Sequence, residues 1–369
     1  MLSLSLSLFI VCLTSLPQDG TAPQWGQRVQ WSLDDSPQGR EHAAFVPDPP
    51  RARAIMLAGS GYRPYGAPLG DAWAFNFGSQ EWDELELVGD EIIPGGSRRV
   101  SAIAGGAFLH GGYGEGFESV GELWRLQFES RRVVVELIPQ ENPPPARLLH
   151  AFACDPAGER FVVFGGGGDD QALEDTWIGQ RTEDGVRWEQ LTTTHHPGPR
   201  FGFSFAHDTK NGLLIVCGGQ VPPQDEEQTE MVVARDLWAL NFTAAAPQWT
   251  LLAEYSADEF PGRRNPAFTF DNDGGDLLVW GGTGDGSTAL PDLYVVRTRE
   301  PNAPVERVLQ PDTIATRASG FGVIDHTHKR ALLGFGNTSA GPFDDLVEVH
   351  LRQPASAPTV PASSEQKDH

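Results

Sequence analysis

The chain has 369 residues, with 50 Asp and Glu against 27 Lys and Arg, for a net charge of −23. A surface this acidic repels phosphates and anionic lipid, which argues against nucleic acid and membrane surfaces as partners. Three cysteines are too few for a disulfide-built scaffold.

In chain order, residues 1–22 come first. Leu and Ser alternate, an apolar stretch follows, and small residues surround Pro17 up to Gly20-Thr21-Ala22. This reads as a secretory signal, too short for a membrane span, although no Lys or Arg precedes the apolar stretch. The expected location is therefore secreted or periplasmic. No later segment is long and apolar enough to cross a bilayer.

Between residues 23 and 352 one phrase recurs six times. An apolar run ends in a glycine pair, and a polar loop leads to an acid two places before a large apolar residue. An arginine then follows a Pro/Gly-rich bend. The glycines are Gly59 and Gly61, Gly111 and Gly112, Gly165 and Gly166, Gly218 and Gly219, Gly281 and Gly282, and Gly334 and Gly336. The acid and its large partner are Asp71/Trp73, Glu122/Trp124, Asp175/Trp177, Asp236/Trp238, Asp292/Tyr294 and Asp345/Val347. The opening arginines Arg40, Arg98, Arg147, Arg200, Arg263 and Arg317 are spaced by 58, 49, 53, 63 and 54 residues. A period near fifty points to propellers or solenoids, and variation of that size belongs in loops.

Within each copy the texture is β. Leu213-Leu214-Ile215-Val216-Cys217, between Asn211-Gly212 and Gly218-Gly219, fits a strand buried on both faces. Leu277-Leu278-Val279-Trp280 repeats the pattern after a turn signal at residues 272–275. No amphipathic stretch is long enough for a helix. The expected fold is all-β: a six-bladed propeller of four-stranded blades, strands a (innermost) to d (outermost), over residues 23–352. Trp73, Trp124, Trp177 and Trp238, at the start of strand c, are expected to be structural plates between neighbouring blades. The sixth copy stops without the strand-d tryptophan that Trp82, Trp188 and Trp249 supply elsewhere. Val29-Gln30-Trp31-Ser32-Leu33 is expected to complete blade six, leaving no open edge. Cys154 and Cys217 are expected as buried free thiols. Residues 353–369, rich in Pro, Ala and Ser, are expected to be disordered.

Six ordered matches to Gly-Gly…Asp-x-Trp over Val29 to Leu351 resemble the kelch-repeat family. The last copies depart from it, with Tyr294 and Val347 in the tryptophan slot, and Phe203, Phe268 and Phe321 near where His42 and His150 stand in copies one and three. The resemblance implies a binding face made of the b–c and d–a loops. Those loops carry Glu115, Glu118, Glu174, Asp258 and Glu259 among many acids, and few bases beyond Arg63. The ligand residues expected there are Tyr65, Tyr113, Asp169, Asp170, His195, His196, Asp225, Glu226, Glu227 and Asp285. Adjacent His195 and His196 make a poor pair for one metal, and the acids lack EF-hand spacing.

The expected function is a monomeric binding or scaffolding module for a protein, peptide or glycan, cationic or calcium-bridged, with no cofactor or resident metal. The alternative is a sugar mutarotase or isomerase of the six-bladed periplasmic type. That chemistry needs an acid, a base and an arginine gathered in the channel. The motif arginines recur in every copy, so they are expected to hold blades together instead. Copper radical oxidases, also kelch-like, cross-link a cysteine to a tyrosine, and neither cysteine lies on the face of Tyr62, Tyr65 and Tyr113.

Overall fold

The computed structural model describes residues 22–31, 35–61, 66–90, 94–168, 171–223, 232–286 and 288–352. Short apolar runs bounded by Gly, Asn and Asp turns become strands, and each repeat folds into one antiparallel blade. Blade one comprises Ala44–Asp48, Arg53–Leu57, Ala72–Asn76 and Trp82–Gly89. Blade two comprises Arg99–Ile103, Gly106–His110, Leu123–Phe128 and Arg132–Ile138. Blade three comprises Ala151–Cys154, Arg160–Gly167, Ala172–Arg181 and Val186–Leu191. Blade four comprises Ser204–Asp208, Leu213–Cys217, Asp236–Asn241 and Trp249–Glu254. Blade five comprises Ala267–Asp271, Asp276–Trp280, Leu293–Arg297 and Val305–Val308. Blade six comprises Phe321–Asp325, Arg330–Gly334, Leu346–His350 and, from the other end of the chain, Gln24–Val29.

Each strand a packs against the next, and the sixth against the first, so the six close into a ring. The apolar side chains between neighbouring blades form the core: Val46 and Ile55 of blade one, for example, meet Leu109 and Leu126 of blade two. At the rim, strand d of blade one also pairs in parallel with strand d of blade two, Glu86 to Gly89 beside Arg132 to Val135. Cys154 and Cys217 are buried free thiols, and burial pushes both up to about 12.

The N-terminal strand does complete blade six, but not at the residues expected. Gln24–Val29 pairs antiparallel with strand c, Gln24 opposite His350 and Val29 opposite Leu346. Trp25 is the strand's tryptophan, its ring packed edge-on against Trp280 at 5.5 Å. Trp31 lies beyond the strand and packs on Phe75 and Trp82 of blade one. The spacing explains the shift. Trp25 precedes Arg40 by 15 residues, within the 12 to 16 that separate Trp188, Trp249 and Trp82 from their next arginines, whereas Trp31 precedes it by nine.

Between blades two and three, His110 and His150 are fully buried, with Nδ1 and Nε2 2.9 Å apart. Burial, helped by Arg147 and Arg98, lowers His110 to about 3, and it lowers His150 as well. Both are therefore neutral when folded, while an unfolded imidazole titrates near 6.5. The unfolded chain binds more protons between these values, so stability is full above about pH 6.5 and falls as pH drops toward 3. Each buried imidazole should contribute a slope of about 1.4 kcal/mol per pH unit in that window. Urea midpoints measured at pH 7.5, 6 and 5 should fall, and His110→Gln should flatten the trend. An identical trend in the variant would assign it to other groups.

Candidate functional site

The motif residues shape the face on which the loops stand. In blade three Arg147 donates to both carboxylate oxygens of Asp175, at 2.6 and 2.9 Å, and to Gly165 O at 3.0 Å. The Trp177 indole donates to the same carboxylate at 2.6 Å. Blades one and four repeat this with Arg40, Asp71 and Trp73, and with Arg200, Asp236 and Trp238. The acid-x-Trp spacing thus lets one carboxylate receive a guanidinium fork and an indole together. The arginine's own carbonyl accepts from the second glycine of the preceding blade: Gly112, Gly166, Gly219, Gly282 and Gly336 donate to Arg147, Arg200, Arg263, Arg317 and Arg40. One residue therefore ties two blades.

Both residues of the glycine pair are left-handed. The first has φ between 51° and 68°, and in blades one and six it is Ala58 and Phe335, so the true pairs are Ala58-Gly59 and Phe335-Gly336. The second has φ of 77° to 101° in all six and is glycine each time. Blade five departs in another way. Asp292 turns to Arg307 Nε at 2.7 Å and Gln310 N at 2.8 Å, leaving Arg263 over the Tyr294 ring at 4.6 Å.

Blade two is out of register. In five blades the arginine lies 18 residues before the carbonyl it binds at the first pair position. The a–b turn of blade two has two residues between paired Ile103 and Gly106, against four between Asp48 and Arg53 of blade one. The equivalent position is therefore Gly95, and its carbonyl accepts from Gly59 N at 2.8 Å, as the arginines do elsewhere. Arg98, three residues later, reaches back to Gly111 O at 3.2 Å.

Trp124 differs from the other motif tryptophans in what its indole binds. It occupies the tryptophan slot of blade two but does not share the role of Trp73, Trp177 and Trp238, whose half-buried indoles donate to the acid two residues earlier. Trp124 is 3% exposed in the core between blades one and two, and its Nε1 is buried without a hydrogen-bond partner. The acid of this blade is Glu122, one methylene longer than aspartate. Its carboxylate stands 3.9 Å from Arg98 and leaves the indole unbound. Trp124 is thus a plate between blades, as expected, and not a member of the carboxylate cluster.

The b–c and d–a loops crown one face, with Asp90, Glu115, Glu118, Glu174, Asp258, Glu259 and Asp285 exposed on it. Tyr113 is buried there, its hydroxyl bonded to Ser60 and its ring stacked on Phe117 at 5.5 Å, so it holds loops together. Asp285 accepts from Val233 N at 3.1 Å and ties blade five's loop to blade four's. His195 is exposed beside Thr194, and His196 accepts from Gly198 N at 3.2 Å; the two rings share no common partner. Tyr65, Asp169, Asp170, Asp225, Glu226 and Glu227 lie outside the described residues.

Between blades three and four this face holds a groove of about 900 Å³, which no motif marks because its walls come from four separate loops. Its floor is apolar, with Leu148, Leu173, Phe201 and Pro222, and exposed Glu174 stands on its edge. A second space, about 260 Å³, is the central channel, lined by the six strands a. On the opposite face Asp271, Asp273 and His326 come close enough to share a metal. There Asp273 already pairs with Lys210 Nζ at 3.0 Å, and Asp271 accepts from the backbone of Asp273 and Gly274.

Residues 51–254, more than half of the chain, match the KLHDC2/KLHL20/DRC7 Kelch-repeats domain. The chain is similar to the serine/threonine-protein phosphatase BSL2 of Arabidopsis thaliana, 24% identical over 185 residues that make up 50% of this chain and 17% of that one. It is similar to Adagio-like protein 1 of Oryza sativa subsp. japonica, 23% identical over 273 residues, 70% of this chain and 41% of that one. The chain thus spans less than half the length of these relatives. The arginine–carboxylate–indole cluster, the left-handed pair and this match agree: the chain belongs to the kelch-repeat family of β-propellers.

Proposed function

We propose that the propeller is a binding scaffold that takes a basic peptide segment of a partner protein into the groove between blades three and four. The observation that carries this is the groove itself, an apolar floor edged by Glu174 on a face with many exposed acids. Such a site suits an apolar anchor flanked by Lys or Arg. The proposed setting is secreted or periplasmic, from the character of residues 1–22. The isomerase reading has less support, because the described residues lining the channel include no Asp or Glu.

Peptide display on the purified chain, followed by calorimetry of the enriched sequences, tests the proposal. Enriched peptides should be basic, and Glu174→Lys with Leu173→Asp should weaken them at least tenfold, about 1.4 kcal/mol. Wild-type affinity should fall with salt more steeply than the variant's. Neutralising Asp225, Glu226 and Glu227 should flatten the same salt dependence. Affinities indifferent to all of these substitutions would remove the groove from consideration.

A further inference from the structure

The altered register of blade two has a chemical result inside the channel. Strand a begins two residues after a left-handed residue in every blade: His42, Ser97, Leu149, Gly202, Asn265 and Ser319. The residues that open the strand are Ala44, Ala151, Ser204, Ala267 and Phe321 in five blades. In blade two the residue is Arg99. A guanidinium therefore breaks the sixfold pattern at the channel wall.

Arg99 reaches across toward blade four, its guanidinium carbon 5.5 Å from the centre of the Phe205 ring. Its Nε is buried without a hydrogen-bond partner, and no carboxylate among the described residues pairs with it. Burial lowers its pKa to about 10, which still leaves it charged at neutral pH. His42, which also lines the channel, is held down at about 3 by burial and by Arg99, so it is neutral. Among the described residues no Asp or Glu lines the cavity, whereas Phe45, Phe205, Phe268 and Phe321 do, with Ser101 and Ser319. Arg99 as a whole is half-buried, and a guanidinium presents its donors as a fork that fits two oxygens of one anion.

We infer that the channel binds a small molecule carrying a carboxylate or phosphate group, which Arg99 grips while the phenylalanine rings receive its apolar part. The inference stands apart from the groove, and either can fail alone.

Calorimetry and thermal unfolding of the full chain with benzoate, acetate and inorganic phosphate, against chloride at equal ionic strength, test it. At least one oxyanion should bind at a single site and raise Tm. Arg99→Gln should lose at least tenfold in affinity, and Arg99→Lys, which keeps the charge but loses the fork, should lose less. Benzoate binding above acetate identifies a carboxylate with an apolar body; phosphate binding alone identifies a phosphorylated ligand; both support the site. If Arg99→Gln does not fold, the Arg99 Nε–H resonance of the wild-type chain decides, since it must shift on saturation. Absence of binding by all three anions, an unmoved resonance, or equal affinity in folded Arg99→Gln would overturn the inference.

Discussion

Arg147→Met should destabilise the protein by about 3 kcal/mol, the low end for removing one partner of a buried ion pair. The substitution keeps most of the side chain's volume, so packing changes little. What it removes is the fork on Asp175, leaving that carboxylate, 16% exposed, with the Trp177 indole. Burial pushes the Asp175 carboxyl up, and Arg147 with Trp177 more than offsets this, so it ionises below the usual carboxylate range. That contribution is present above about pH 4 and is lost as pH falls through the folded value. Arg263→Met is the control. Its acid, Asp292, is already held by Arg307 and Gln310, so no carboxylate is abandoned, and the loss should be only about 1–2 kcal/mol. Denaturant unfolding with unchanged m-values measures both. Equal losses would show that the carboxylate is not what makes the motif arginine valuable.

Removing residues 1–31 should have a larger effect: loss of a single cooperative unfolding transition, with aggregation. The deletion strips strand d from blade six, leaving Leu346–His350 as an open edge with unpaired backbone groups. It also uncovers Trp280 and takes Arg28 away from the buried Asp345. Within the intact chain, Trp25→Ala should cost about 2–3 kcal/mol, below the range for a fully buried tryptophan because Trp25 is half-buried. A truncated chain that unfolds in one step at the wild-type midpoint would mean that the ring is held shut elsewhere.

The blade count and the closure were legible because most copies carry the carboxylate, arginine and glycine that one local geometry demands, and blades two and five keep the same residue types nearby. Register was harder to read. The first pair position needs only a left-handed backbone, which Ala58 and Phe335 supply, so counting glycines misplaced the pair in blades one and six. A turn two residues shorter moved the motif position of blade two to Gly95, and a neighbouring arginine concealed the shift. Arg99 therefore reads in sequence as one half of a basic pair, although the fold sends Arg98 and Arg99 to different places. Trp124 is concealed in the same blade: the spacing to Glu122 matches the motif, yet the indole makes no bond to it. The acidic face could be read from composition, but the groove could not, since Leu148, Leu173, Phe201 and Pro222 meet only when two blades are set side by side. Tyr113 could be placed on a b–c loop from the sequence, but the bond of its hydroxyl to Ser60 could not.

The pairing of Gln24 with His350 fixes where the two ends of the described chain lie. Strand c of blade six runs away from the loop-bearing face, and its partner from the N-terminus starts where strand c ends. Gln24 and His350 thus lie side by side at the back of the disc, at one point on its circumference. The two ends of the described chain therefore lie on the side of the disc opposite the loops that form the groove.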